Sequence, residues 1–131
     1  MNTFDHERLD VYQVAIDFVA FAVDVVEHLP HGRRYLADQF QRAALSVPLN
    51  GAEGAGEFSH NDKKRICRMA LRSATECAAI LDVCRRLEIA QEPLLSSGRE
   101  YLLRIVSMLT RLAKRETKSG TGTGTGTCTG L

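Results

Sequence analysis

Arg42-Ala-Ala-Leu-Ser-Val-Pro-Leu-Asn-Gly-Ala-Glu-Gly54 is the stretch that decides the fold of this chain. On a helical wheel at about 100° per residue it separates into three faces. Ala43, Ala44, Val47, Gly51 and Gly54 continue the line begun by Leu36 and Phe40, which is the spacing of a buried helix face. Arg42, Ser46, Asn50 and Glu53, spaced by four, four and three, form a polar strip about 80° wide along its border, with Gln39 and Glu57 beside it. Leu45, Leu49 and Ala52 make a second apolar face. Pro48 removes a backbone donor and should kink a helix here. Asn50-Gly51 is also a turn signal, so a break is the alternative. Against a break, Gly51, Gly54 and Phe58 stay on the side of Leu36 and Phe40. The pattern therefore predicts one kinked helix over 33–58. Gly51 and Gly54, facing inward, would let another backbone approach or let the helix bend.

Three further helices flank it. Asp10 with Gln13 resembles a capping box opening a helix over 10–29, which Pro30-His-Gly32 ends. Its stripe of Val11, Ala15, Phe18, Ala22, Val25 and Leu29 is widened by Tyr12, Val19, Val23 and Val26. A helix this apolar around its circumference buries more than one side. Ser59 with Asp62 caps a third helix over 60–89, with Ile66, Met69, Ala70, Ser73, Cys77, Ile80, Cys84 and Leu87 as its core face. Pro93 suits the first turn of a fourth helix over 93–115, with Leu95, Leu102, Ile105, Val106, Leu109 and Leu112 inward. No stretch alternates as a strand does. The expected fold is all-α, an antiparallel up-down four-helix bundle with a kinked second helix, over 1–116. The Gly/Thr-rich remainder, 117–131, offers almost nothing to bury and is expected to be disordered.

At 131 residues the chain is one domain, long enough to bury a core without staples. The apolar run Val11–Val26 is interrupted by Gln13, Asp17 and Asp24, so it is not a membrane span. The N-terminus lacks the basic and apolar regions of a secretory signal, and a cytoplasmic location is expected. Cys67, Cys77 and Cys84 fall in one helix, with Cys128 in the tail; they read as reduced thiols. Net charge is +1, unevenly spread. Residues 1–30 hold six acids and one base, −5, leaving ten acids and sixteen bases, +6, for 31–131. That asymmetry suits complementary subunit surfaces or an anionic partner.

Half-buried polar groups need partners, because an unpaired one costs on the order of 1–3 kcal/mol. The strip Arg42, Ser46, Asn50, Glu53 faces Arg72, Ser73 and Glu76 of the third helix. A structural network joining Arg42 or Arg72 to Glu53 or Glu76 is expected, fixing helix register. Lys64, Arg65, Arg68, Arg72 and Arg86 lie within about 100° of one another, away from the core face, and could track a phosphate backbone. No aromatics interleave with them, so base-stacking readout of a single strand is not suggested.

Signals of catalysis are weak. Gly54-Ala-Gly56 has neither the preceding strand nor the Lys-Ser/Thr of a phosphate loop. A bundle metal site would use two Glu-x-x-His motifs; this chain has one, Glu57-Phe-Ser-His60, with His6, His28 and His31 near termini or loops. Glu53 and Glu76 could be a carboxylate pair, but salt bridging accounts for them more simply. No catalytic residue, metal or cofactor is expected.

Leu9-Asp-Val-Tyr-Gln13 with Ala15, then Gln39 to Gly54, then Ala70-Leu-Arg-Ser-Ala-Thr-Glu76 resemble the four-helix-bundle family encoded in ribosomal-RNA intervening sequences. The accessory protein of diversity-generating retroelements is similar. The resemblance covers residues 7–115. It implies an up-down bundle assembled into a five-membered ring. By way of the retroelement relatives it also implies contact with a reverse transcriptase and with nucleic acid through a basic surface. Gly51 stands where the family usually has Ile, Leu71–Arg72 replace a family Gly, and the Gly-Thr tail is foreign to it. Together these readings lead to the expectation of a non-enzymatic, homo-oligomeric, RNA-associated accessory protein. The competing expectation is a protein-interaction module that docks through the first helix and Leu45, Leu49 and Ala52. A metal-dependent bundle enzyme is the third.

Overall fold

The computed structural model describes residues 3–119, with side chains up to Arg115. A 3-10 turn, Asp5–Arg8, leads into α1 (Asp10–Glu27). A second one, His31–Arg33, leads into α2 (Arg34–Ala55), followed by α3 (His60–Arg86) and α4 (Glu92–Ser119). Each helix packs against its neighbours in sequence, and α1 closes the ring against α4. Short connections make neighbours antiparallel, which is the up-down four-helix bundle. The core is one cluster drawn from all four helices, with Phe18, Phe40, Ile105, Val25 and Val47 fully enclosed. Phe18 meets Phe40 edge-on at 5.9 Å and lies 6.0 Å from Tyr101, so α1, α2 and α4 meet at one aromatic joint.

α2 continues unbroken through Pro48 and Asn50-Gly51, so these residues do not form the alternative turn. Pro48 lacks the amide that would reach the Ala44 carbonyl, and both residues are buried. The helix stops at Ala55, three residues before the expected end. Phe58 therefore leaves the face of Leu36 and Phe40 and stands 99% exposed in the α2–α3 connection.

Several terminal signals act differently from their sequence reading. α1 begins on Leu9, with no side-chain capping bond, so Asp10 is its first helical residue and favours the positive helix end by charge instead. Ser59 does cap α3, its Oγ accepting from the Asp62 amide at 3.3 Å. α3 closes with Glu88 at φ 56°, the Ile89 amide reaching the Cys84 carbonyl and the Glu88 amide that of Arg85, each at 3.1 Å. This is a Schellman ending, with glutamate where glycine is preferred. The buried arc of α3 is also turned toward α4: Leu71, Ala74 and Leu81 are buried, whereas Met69 and Leu87 are each 40% exposed. Four-element closure explains the turn, because α3 is covered from both α2 and α4.

The glycines divide by what they touch. A Cβ on Gly51 would meet nothing within 4 Å, so of the two expected roles a close backbone approach is not the one this residue serves. Gly51 and Gly54 open onto a small hollow of about 160 Å³ that Leu109 and Leu112 also line. Gly54 abuts the Ile66 side chain. The tight position is Gly98 in α4, where a Cβ would lie 2.8 Å from Leu81 Cδ1 and 3.1 Å from Phe21 Cε2. The expected tail lies outside the described residues from Gly120 onward; α4 itself reaches Ser119.

Candidate nucleic-acid interface

The α2–α3 seam holds the polar strip. Asn50, the one buried polar residue among those described, donates from Nδ2 to the Ser46 carbonyl and to Ser46 Oγ, both at 2.9 Å. Ser73 Oγ lies 2.8 Å from Ser46 Oγ and 3.1 Å from the Met69 carbonyl, carrying the chain of bonds to α3. Gln39 Nε2 donates to Glu76 Oε2 one turn of contacts further along. Every buried side-chain polar atom among the described residues has a partner. The seam thus satisfies itself with neutral groups and one carboxylate.

The expected ion-pair network is corrected here. Among the described residues no ion pair joins Arg42 or Arg72 to Glu53 or Glu76. Arg42, Glu53 and Arg72 are exposed, because each points outward from the seam, so their charges stay in water. Ser46, Asn50 and Glu76 do belong to the bonded seam. Gln39 takes the place foreseen for an arginine, and Ser73 is the hydroxyl bridge. Glu53 and Glu76 make no carboxylate pair. Among the described residues no cluster of His, Cys, Asp and Glu could hold a metal ion, and Glu57 and His60 flank the exposed α2–α3 connection.

The basic strip occupies the outer face of α3. Arg65, Arg68, Arg72 and Arg86 are exposed and Lys64 is half-buried. Arg65 has two weak contacts, Asp62 Oδ1 at 3.9 Å and Met69 Sδ at 3.7 Å. Arg68 and Arg72 have no carboxylate within ion-pair distance among the described residues. Helical rise places Arg65, Arg68 and Arg72 within about 10 Å along the axis. Arg86 stands roughly 21 Å beyond Arg72 at the other end of the helix. The five residues therefore form one cluster of four and a distant fifth. Near that far end, Arg85 Nη2 meets Glu92 Oε1 at 2.8 Å and Arg85 Nε meets Oε2 at 3.2 Å, a two-pronged clamp from α3 to the start of α4. The hydrogen bond from Arg85 holds the Glu92 carboxyl below its ordinary value, and the same bond raises Arg85.

The α3 cysteines face inward. Burial, with a lesser push from Glu76, raises the Cys77 thiol to about 12, and burial raises Cys84 as well. Neither is a nucleophile at neutral pH. Cys67 Sγ lies 3.2 Å from the Leu109 carbonyl and helps hold α3 to α4.

The family described as 23S rRNA-intervening sequence protein matches residues 7–111, four-fifths of the chain. The chain belongs to this family. The match spans α1 to α3 and most of α4, so the basic cluster and the polar seam both fall inside it. No curated protein matches the chain. Among the described residues, no helix of this family member is long and apolar enough to cross a membrane.

Proposed function

We propose that the protein is a non-enzymatic, RNA-associated accessory protein that works as a homo-oligomer, with Lys64, Arg65, Arg68 and Arg72 as the phosphate-binding face. The observation that carries this reading is the arginine cluster on the outer face of α3, three exposed guanidiniums within about 10 Å, two of them lacking a described carboxylate. Fixed cations of this spacing suit consecutive phosphates and read backbone, not sequence. Family membership supports an RNA association in general terms. Arg86 is a peripheral contact in this reading.

Oligomerisation rests on exposed apolar side chains along α1 and α2. Ile16 and Val23 are exposed, and Leu45 and Leu49 are 48% and 59% exposed. A ring of five and contact with a reverse transcriptase are what the resemblance implies, a cytoplasmic setting is what the sequence reading expects, and all three are part of the proposal. The same apolar side chains favour the second reading, a protein-interaction module without nucleic-acid affinity.

Fluorescence anisotropy with a labelled single-stranded RNA at low salt tests the first reading. The triple variant Arg65→Ala/Arg68→Ala/Arg72→Ala should bind more weakly, and its log–log salt slope should be shallower by about 2, the counterion release of three phosphate contacts. No binding by the parent protein, or an unchanged slope in the variant, refutes the RNA role and leaves the interaction module. Light scattering tests the assembly: Leu49→Glu should lower the mass to that of a monomer.

A further inference from the structure

We propose that a second anion site, a cleft between the start of α1 and the end of α4, binds a nucleoside phosphate. Arg111 and Arg115 stand one turn apart on α4, and Lys114 is three residues from Arg111. Like charges at these spacings repel one another. Arg8 enters the same cleft from the 3-10 turn before α1, a separate element. Among the described residues, four cations therefore line a cleft with one carboxylate, Asp10, and none of Arg111, Lys114 and Arg115 is ion-paired. The negative end of the α4 dipole accounts for cations on α4 itself. It does not account for Arg8, which comes from the opposite wall. A bound anion accounts for all four.

The size and floor of the cleft define the rest of the ligand. Its volume is about 530 Å³, the range of small-molecule sites and far more than one phosphate needs. Met108 and Leu112 form part of an apolar floor between the cations. A compact ring lying on that floor with its phosphate among the arginines satisfies both features, and a nucleotide has both parts. The Asp10 carboxylate, beside the cations, is placed to accept from a ribose hydroxyl or a base amine. The cleft lies on the α1 side of α4, whereas α3 packs on its other side, so this site does not depend on the α3 arginines. The source of the ligand is either a free mononucleotide or the phosphorylated end of an RNA strand.

The test is a titration of the full chain, labelled at its methionine methyls, with adenosine 5′-monophosphate, adenosine, inorganic phosphate and a 5′-phosphorylated dinucleotide. The expected result is saturable movement of the Met108 methyl signal with the monophosphate, at least tenfold weaker with adenosine or phosphate alone. Arg111→Ala/Lys114→Ala should weaken the monophosphate at least tenfold, while Arg65→Ala/Arg68→Ala/Arg72→Ala should leave it unchanged. Tenfold tighter binding of the dinucleotide identifies a strand end, and equal binding identifies the free nucleotide; either supports the site. No movement of Met108 with any phosphorylated ligand overturns it. So does binding of adenosine or phosphate as tight as that of the monophosphate. Loss of monophosphate binding in the α3 variant alone also overturns it.

Discussion

Gly51→Ala and Gly98→Ala are the same chemical change within two helices, and the structure assigns them opposite outcomes. Both replace a glycine inside a helix, which by propensity alone should stabilise by roughly 1 kcal/mol. At Gly51 the new methyl meets nothing within 4 Å, so that gain should survive. At Gly98 the methyl would sit 2.8 Å from Leu81 Cδ1 and 3.1 Å from Phe21 Cε2. Comfortable carbon contacts are about 3.5–4.0 Å, so these neighbours must retreat by up to about 1 Å. Leu81 is buried, and the Phe21 ring is held against Phe18 and Tyr101 at 6.2 and 5.3 Å. Overpacking of this kind costs about 1–3 kcal/mol. The propensity term is common to both variants, so their difference isolates packing at about 2 kcal/mol. For a chain of this length that corresponds to roughly 6–10 °C in Tm. Thermal and urea unfolding by circular dichroism, at one protein concentration because association shifts apparent stability, measures it. Gly51→Ala should melt above the parent protein and Gly98→Ala below Gly51→Ala by that margin. If the two variants melt within a degree of each other, the close packing of α4 against Phe21 and Leu81 is wrong.

Glu88→Gly should stabilise by about 1 kcal/mol in urea unfolding, because a left-handed backbone at φ 56° costs a side-chain-bearing residue roughly that much more than glycine. The Glu92 carboxyl is held below its ordinary value of 4.5 by the hydrogen bond from Arg85. The clamp's contribution is therefore complete above about pH 4.5 and lost as pH falls through the lower folded value. Arg85→Gln should flatten the acid limb of the unfolding midpoint below about pH 4.5, and an unchanged limb would remove the clamp from the account. With its thiol at about 12, native Cys77 at pH 8 holds roughly one thiolate in ten thousand. Mass spectrometry after iodoacetamide treatment should find Cys77 and Cys84 unlabelled until denaturant is added, and native labelling of Cys77 at the denatured rate would contradict the burial.

The chain's own periodicity determined the four helices and their order. Leu36, Phe40, Ala43, Ala44 and Val47 repeat at helical spacing strongly enough to carry α2 through a proline and a turn signal, because burying that stripe outweighs one lost backbone bond. Ser59 announced the start of α3 because a capping bond is local, closing within three residues. The charged face of α3 was legible for a similar reason: a run of cations at one helical angle is fixed by sequence alone. Partner choice in the seam was not. Gln39 sits on Glu76, and Ser73 bridges to Ser46, because the rotation of α3 against α2 and α4 decides which border residues meet. That rotation also exposed Met69 and buried Leu71. Likewise, neither the tight place of Gly98 nor the shared cleft of Arg8 and Arg111 can be read from spacing, since the first depends on Leu81 and Phe21 from two other helices and the second on the turn before α1 and on α4. Local hydrogen bonding and hydrophobic period act over a few residues and are written along the chain. Which side chain faces which across helices depends on how all four close into one ring, and only the tertiary structure decides that.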